Sequence, residues 1–376
     1  MKEIHTEVAI VGAGIVGLAM AYTAAKAGKK VHLFEREANT NMASIRNFGM
    51  VWPIGQPAGK AYQRALKSRY IWEEVGKEAG FWYEPKGSLM LIRSQDEWDV
   101  AEEFLETTKG EGYVSKLLSS SSAKELSPAA KAEGLLGGLY SATEMIVDPR
   151  EVPLKISALL KEKYKVQFHY ETSVNFVAEG KMFTSEGLCH ADQIYVCSGA
   201  ELETLFPELL RPQLIKVKLQ MMRTVSQPQN WRMGPAIYGG LTLQHYQSFA
   251  HCQRLEVVKK RIEEESPWFN KWGIHVMMSQ NGLGQLVLGD SHEYGMTHDP
   301  FLREEIDSYV LDYLDDMVEV PDRTIAARWH GVYAKNPGKT ELILHPHPGV
   351  TIVNGVGGAG MTFSFGLAKE VFEGGL

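Results

Sequence analysis

The chain opens with short apolar runs separated by helix-patterned stretches. Residues 7–11 read as a strand, residues 18–27 as an alanine-rich helix ended by Gly28, and residues 31–34 as a second strand. Helical periodicity returns at 58–80 and 94–111, with a strand-like run at 87–92 between them. The serine cluster 119–122 reads as a surface turn before a short helix. Strand and turn patterns occupy 135–147. Asp148-Pro149-Arg150 then begins a helix reaching about residue 164, with proline in the first turn where a helix tolerates it. Strands are expected at 166–170 and 193–196. Strand-like runs dominate from 214 to 288, and a helix near 301–317 precedes the last segment, 326–376.

Composition narrows the class. A chain of 376 residues, 44% hydrophobic and 23% charged, can bury the core of two domains. The net charge is −7 and no basic run exceeds Lys259-Lys260-Arg261, which argues against a nucleic-acid partner. Cys189, Cys197 and Cys252 lie far apart and suggest reduced thiols in a cytoplasmic protein. No secretory signal is expected, because Gly12, Gly14 and Gly17 interrupt the first apolar stretch. No apolar run reaches the roughly 20 residues of a membrane helix, so no integral membrane segment is expected either.

The strongest local signal is Gly12-Ala13-Gly14-Ile15-Val16-Gly17, a GxGxxG between a strand and a helix. Gly12 permits the tight turn, Gly14 lets backbone approach a pyrophosphate, and Gly17 lets helix and strand pack closely. The helix N-terminus offers free N–H groups and a positive dipole end to phosphates. The second strand ends in Glu35, whose carboxylate can accept from both ribose hydroxyls. These features imply a dinucleotide.

Four further pieces follow in order. They are Ala43-Ser44-Ile45-Arg46-Asn47-Phe48-Gly49, Val147-Asp148-Pro149, Val196-Cys197-Ser198-Gly199-Ala200, and Asn354-Gly355-Val356-Gly357-Gly358-Ala359-Gly360-Met361-Thr362. In these pieces the chain resembles the D-amino-acid oxidase superfamily of flavoproteins, which includes glycine oxidase, sarcosine oxidase and D-amino-acid dehydrogenase. The resemblance implies FAD, with the first piece along the pyrophosphate and one flavin face. The glycine-rich loop 354–362 opens a helix whose N–H groups would favour negative charge on the flavin pyrimidine edge. The expected cofactor contacts are Gly12, Gly14, Ile15, Val16, Gly17, Glu35, Arg36, Ala43, Ser44, Arg46, Asn47, Phe48, Gly49, Val174, Ser198, Gly199, Gly331, Gly357, Gly358, Gly360, Met361 and Thr362.

Departures from the family pattern carry information. Where some sarcosine oxidase relatives attach FAD through cysteine, this chain places Gly331, so non-covalent FAD is expected. Their oxygen-promoting lysine aligns with Val287, which leaves the acceptor open between oxygen and another compound. The arginine that holds a substrate carboxylate in glycine oxidase aligns with Tyr333, with Lys335 nearby.

Candidate catalytic residues are therefore Arg46, His245, Tyr246, Tyr333, Lys335, Lys216 and Lys218. Lys216, Lys218 and Gln220 share one face if residues 216–220 form a strand, for which a solvated face is the plainer reading. His245 and Tyr246 lie in a second strand candidate, 241–246, where core packing is the alternative. His345-Pro346-His347 is too tightly spaced in a proline-flanked loop to suggest a metal, and none is expected. Residues 46–53 and 239–246 resemble a subgroup linked with aminophosphonate breakdown. A phosphonate near −2 would need several cationic donors, for which Arg46, Lys216, Lys218 and Lys335 are available.

The expected architecture is α/β: a doubly wound FAD domain from 1–80, 148–212 and 325–376, plus an α+β substrate domain from 81–147 and 213–324 with a mixed, mostly antiparallel sheet. The expected activity is oxidation of a small anionic amine or amino acid, by hydride transfer to flavin N5 and hydrolysis of the imine. The alternatives are a 2-hydroxy-acid oxidoreductase, a flavin-holding sensor and an RNA-modifying flavoprotein.

Overall fold

The computed structural model describes residues 2–375. Met1 and Leu376, the outer limits of the expected cofactor domain, lie outside the described residues. The opening strand, Lys2–Val11, pairs in parallel with Val31–Phe34 on one side and Gly187–Val196 on the other. Gln167–His169 extends the sheet beyond Val31–Phe34, and Val350–Asn354 joins the far half of Gly187–Val196. These four pairings are parallel, and the segments 8–11, 31–34, 194–196 and 350–354 are buried; Val174–Ala178, Lys181–Thr184 and Leu342–His347 extend the sheet with antiparallel pairs. Helix Ile15–Lys26 lies against it through Leu18, Ala19, Tyr22 and Ala25. Three further helices, Lys60–Ala79, Val152–Glu162 and Gly360–Phe372, pack in that layer.

The second sheet is mixed and mostly antiparallel. Its order runs Glu293–Gly295, Ile215–Ser226, Gln285–Gly289, Met277–Gln280, Ala236–Tyr238, Ser88–Ile92, Gly137–Ser141, Ser115–Ser119, with one parallel pair, Ala236–Tyr238 on Ser88–Ile92. The long strand Ile215–Ser226 also pairs along its length with Ile325–Lys335. Residues 325–335 therefore join the second sheet, although the expected cofactor domain began at 325. Their alternation of half-buried and buried positions suits a sheet wall, and the chain returns to the parallel sheet only at Leu342–His347.

Two local expectations differ from the structure. Residues 241–246 are not a strand: Gly240–Gln244 is a 3-10 turn, and Leu241 and Leu243 are both buried by its tight winding. A side chain at Gly239 would meet the Tyr313 ring, and one at Gly240 the Glu97 carboxylate, so two glycines bring the turn close to neighbouring helices. Within the strand-dominated region lies a helix, Leu255–Glu265. It buries only Leu255, Val258 and Ile262, and their helical spacing is diluted by seven charged residues.

Candidate active site

A single cleft joins the two sheets. It opens at the carboxyl ends of three parallel strands, where Gly14, Cys197 and Asn354 line it, and ends against the second sheet at Leu219, Met221 and Met277. Ligands of open parallel sheets bind at such strand ends.

At the strand-end side the glycines have distinct jobs. Gly12 adopts φ 100°, and a Cβ there would sit 2.5 Å from the Cys197 carbonyl oxygen. A Cβ on Gly17 would sit 1.9 Å from the Gly12 carbonyl oxygen. Neither lines the cleft; they hold the turn. Gly14 is the N-cap of helix Ile15–Lys26 and supplies no side-chain cap of its own, so the positive helix end faces the cleft. Ser44 bends over it and accepts a 2.8 Å hydrogen bond from the Ile15 N–H. Glu35 accepts from the Ala13 N–H at 2.8 Å and the Glu37 N–H at 3.0 Å, leaving lone pairs for ribose hydroxyls.

The remaining expected cofactor residues divide. Ile15, Val16, Ala43, Arg46, Asn47, Phe48, Gly199, Gly331, Gly357, Gly358, Gly360, Met361 and Thr362 line the cleft. Gly49 does not; at φ 73° it packs against the Val147 carbonyl. Ser198 accepts from the Asn354 side chain, which ties two strand ends together. Arg36 is half-exposed beside Glu37, and Val174 is buried away from the cleft, although Thr172 donates to the Glu35 carbonyl and keeps that segment beside the acidic strand end. The N-terminus of helix Gly360–Phe372 also lacks a side-chain cap, so two helix ends point donors into one cleft. An extended ligand with an anionic centre and an electron-accepting ring matches that pair of positive ends, as FAD does.

Lys216 and Lys218 require correction. They share a face of Ile215–Ser226 with Gln220, and that face turns away from the cleft. Lys216 pairs with Glu203 at 2.7 Å. The Lys218 ammonium is fully buried and donates to the Asp299 and Phe301 carbonyls at 2.8 and 2.9 Å, with Glu293 at 3.3 Å. The strand's other face carries Leu219 and Met221 into the cleft. Lys216→Ala should therefore leave the rate of flavin reduction unchanged. Lys218→Met should lower stability by about 1–3 kcal/mol through its orphaned acceptors, read as a melting shift with substrate affinity unaltered.

The candidate substrate wall holds Tyr333, Lys335, His245 and Tyr246 together with His275, Asp290 and His292. His245 stacks on His275 at 3.8 Å between centroids, and His292 lies 4.6 Å from His245 and 5.0 Å from His275. Burial, then repulsion from neighbouring histidines and Lys335, holds His245 and His275 well below the usual range. Burial lowers His292 to about 4 and pushes the Asp290 carboxyl well up. Burial also raises the Tyr246 and Tyr333 hydroxyls, with Asp290 adding to it, so both remain neutral donors. Trp52 packs edge-on to Tyr238 and beside Tyr246 and closes the apolar side. Arg46 lies at the rim and donates weakly to the His330 carbonyl and Asn41, both at 3.4 Å. His275, Asp290 and His292 were not expected, although 289–292, Gly-Asp-Ser-His, is a polar cluster ending an apolar strand. His345 of the proline-flanked pair meets Thr351 instead.

The family model described as FAD dependent oxidoreductase matches residues 7–373. The chain belongs to that family. FAD is accordingly its cofactor, and the uncapped helix ends and strand-end cleft fit it. A D-amino acid dehydrogenase of Helicobacter pylori is 26% identical over 252 residues, 52% of this chain and 60% of that relative's length. The solved glycine oxidase of Bacillus cereus superposes with TM-score 0.78 at 17% identity, covering 99% of this chain and 96% of that one. The L-α-glycerophosphate oxidase of Mycoplasma pneumoniae, solved with FAD bound, reaches TM-score 0.77 at 16% identity over 99% and 94%. Among the described residues no helix is long and apolar enough to cross a membrane.

Proposed function

We propose that the protein oxidises a small anionic amine or amino acid at non-covalently held FAD, and that an aminophosphonate is the substrate class. The observation that carries this reading is the single cleft running from a dinucleotide-type strand end to a wall of aromatic and imidazole groups. Sequence relatives named for D-amino acid dehydrogenation or oxidation support the amine half of it. The residues 46–53 and 239–246 support the phosphonate half, since Arg46 and His245 within them, joined in the cleft by His275, His292 and Lys335, offer a multiply charged anion more partners than a carboxylate needs.

FAD, when bound, supplies the hydride acceptor. The chain's own part is positioning, exclusion of water and charge placement. Trp52, Leu219, Met221 and Met277 make an apolar box that holds the substrate C–H in a dry site. The uncapped start of helix Gly360–Phe372 places dipole and N–H donors against charge building on the cofactor. Gly331 and the absence of any cysteine beyond residue 252 favour non-covalent attachment. Cys197 sits in the cleft, but burial pushes its thiol up to about 12 and keeps it protonated. Three free, buried cysteines favour a cytoplasmic setting.

Anaerobic bleaching of the flavin tests the reading. Glycine, sarcosine, D- and L-alanine, 2-aminoethylphosphonate with its N-methyl form, and 2-hydroxyglutarate make the panel. Bleaching by an aminophosphonate ahead of the amino acids is the expected result. Bleaching by the hydroxy acid alone, with no amine released, would overturn it. The speed of recolouring in air then separates oxygen from another acceptor.

A further inference from the structure

The histidines of the cleft wall come from three separate segments, the ends of turn Gly240–Gln244, the approach to strand Met277–Gln280, and the exit of strand Gln285–Gly289. Burying three imidazoles together with a carboxyl is costly, and apolar packing gives no reason for it. Asp290 Oδ1 lies 3.1 Å from His275 Nε2, and Oδ2 lies 3.9 Å from His292 Nε2. His292 Nδ1 is spoken for by the Gly273 carbonyl at 3.0 Å. His275 Nδ1 and Asp290 Oδ1, both buried, have no aligned hydrogen-bond partner among the described residues. Native proteins rarely leave such atoms orphaned, so a bound group is expected to complete them.

The surrounding charge indicates what that group is. One ring nitrogen each of His245, His275 and His292 lies within 4.8 Å of the others, so the three converge on a common space. The positive charge of Lys335 acts on all three rings. A cation placed there would be repelled by Lys335, whereas an oxyanion would be attracted by it and by any imidazole that takes up a proton. Lys335 adds fixed positive charge from the same wall; its ammonium reaches the Tyr294 hydroxyl at 3.4 Å.

We propose that His245, His275 and His292 form the seat of a doubly charged oxyanion, the phosphonate or phosphate-ester end of the substrate. The inference rests on the proposed function for the identity of the molecule that carries the anion. It moves the anion-holding task from Lys216 and Lys218, which face elsewhere, to His245 and to two imidazoles, His275 and His292, that the sequence did not single out.

The titratable groups facing the seat are Asp290 and Lys335, with Tyr246, Tyr333 and Tyr294 as hydroxyls. Burial lowers the three histidines, His292 to about 4, and raises Asp290, which favours the uncharged form of each. A dianion stabilises imidazolium, so binding takes up at least one proton. Above the ligand's second ionisation, near pH 6 for a phosphate ester, affinity should fall by about tenfold per pH unit for each proton taken up.

The test titrates FAD-loaded enzyme with methylphosphonate, ethyl phosphate and acetate, following the flavin spectrum at about pH 7 and about pH 9. Either phosphorus dianion should bind more tightly than acetate, compete with the reducing amine, and weaken markedly at the higher pH. His275→Phe keeps the ring shape and removes the nitrogens; it should weaken dianion binding by about tenfold to a hundredfold with FAD content unchanged. The pH comparison needs no variant and stands if that protein fails to fold. Equal affinity at both pH values, or full affinity in His275→Phe, would overturn the seat. So would one divalent metal per chain that survives dialysis and is lost in His275→Phe. Amines that bleach the flavin without competition from methylphosphonate remove the seat and leave the amine reading standing. His275-dependent dianion binding with no amine bleaching does the reverse.

Discussion

Gly17→Ala should yield protein that carries no FAD. A Cβ at position 17 would lie 1.9 Å from the Gly12 carbonyl oxygen and 3.0 Å from its carbon, both backbone atoms. No rotamer relieves a clash with backbone. Helix Ile15–Lys26 would have to lift away from strand Lys2–Val11, which drags its uncapped N-terminus out of the cleft. Overpacking of this kind costs about 1–3 kcal/mol and sometimes more. Here the displacement also removes the phosphate donors, so cofactor loss should exceed what the stability change alone produces. Gly14→Ala should also lose FAD but with less loss of stability, because its Cβ would meet only the Ser44 hydroxyl within the protein, at 3.3 Å, while filling cleft space where backbone approaches the pyrophosphate. Visible absorbance per polypeptide after purification reads the outcome. A fully yellow Gly17→Ala protein would show that the close approach is dispensable.

The second large effect is expected at Arg64. Its side chain is 1% exposed and lies between Glu341 at 2.6 Å and Glu370 at 2.8 Å, with the guanidinium 5.5 Å from the Phe363 ring. It thereby joins helix Lys60–Ala79 to helix Gly360–Phe372, the element whose N-terminus faces the cleft. Arg64→Met fills similar space but leaves two mostly buried carboxylates facing each other without a cation. Breaking a buried pair from one side costs about 3–5 kcal/mol, chiefly from the charge left behind. Arg64→Lys should recover only part of this, since one ammonium cannot reproduce a three-bond fork. Urea unfolding of the three proteins measures both steps. Coincident transitions would mean that water satisfies the carboxylates.

The FAD-type half of the fold was legible because its determinants are local. Gly12, Gly14 and Gly17 are needed for turn and contact geometry within a few residues of one another, and the apolar runs around them keep strand and helix periods. The glycine loop 354–362 was legible for the same reason: glycines followed by an apolar helical stretch mark a helix start. The histidine wall was not. His245 was a candidate within 239–246, but His275 and His292 lie about thirty and a further seventeen positions along the chain and stand in no motif. Only the pairing of Met277–Gln280 with Gln285–Gly289, and the turn Gly240–Gln244 folded over them, brings the rings together.

Lys216 and Lys218 show the complementary difficulty. Alternation told that they share a face with Gln220, which is a property of the strand itself. Which face meets the cleft depends on what covers each side. Residues 299–307 cover the lysine face, and Asp299, Phe301 and Glu293 supply its acceptors.

By itself the sequence determined the dinucleotide turn and the second glycine loop, because both follow from short-range backbone sterics; the acidic strand end followed from its place on the next strand, and the family from the resemblance of four further pieces in order. Only the tertiary structure decided that residues 325–335 belong to the second sheet, that 241–246 wind into a turn, and that the cleft wall gathers three imidazoles beside Lys335 and leaves Lys216 and Lys218 outside. Those outcomes depend on burial and pairing between segments far apart in the chain, and a face that packs well on either side carries no local mark of which side it will meet.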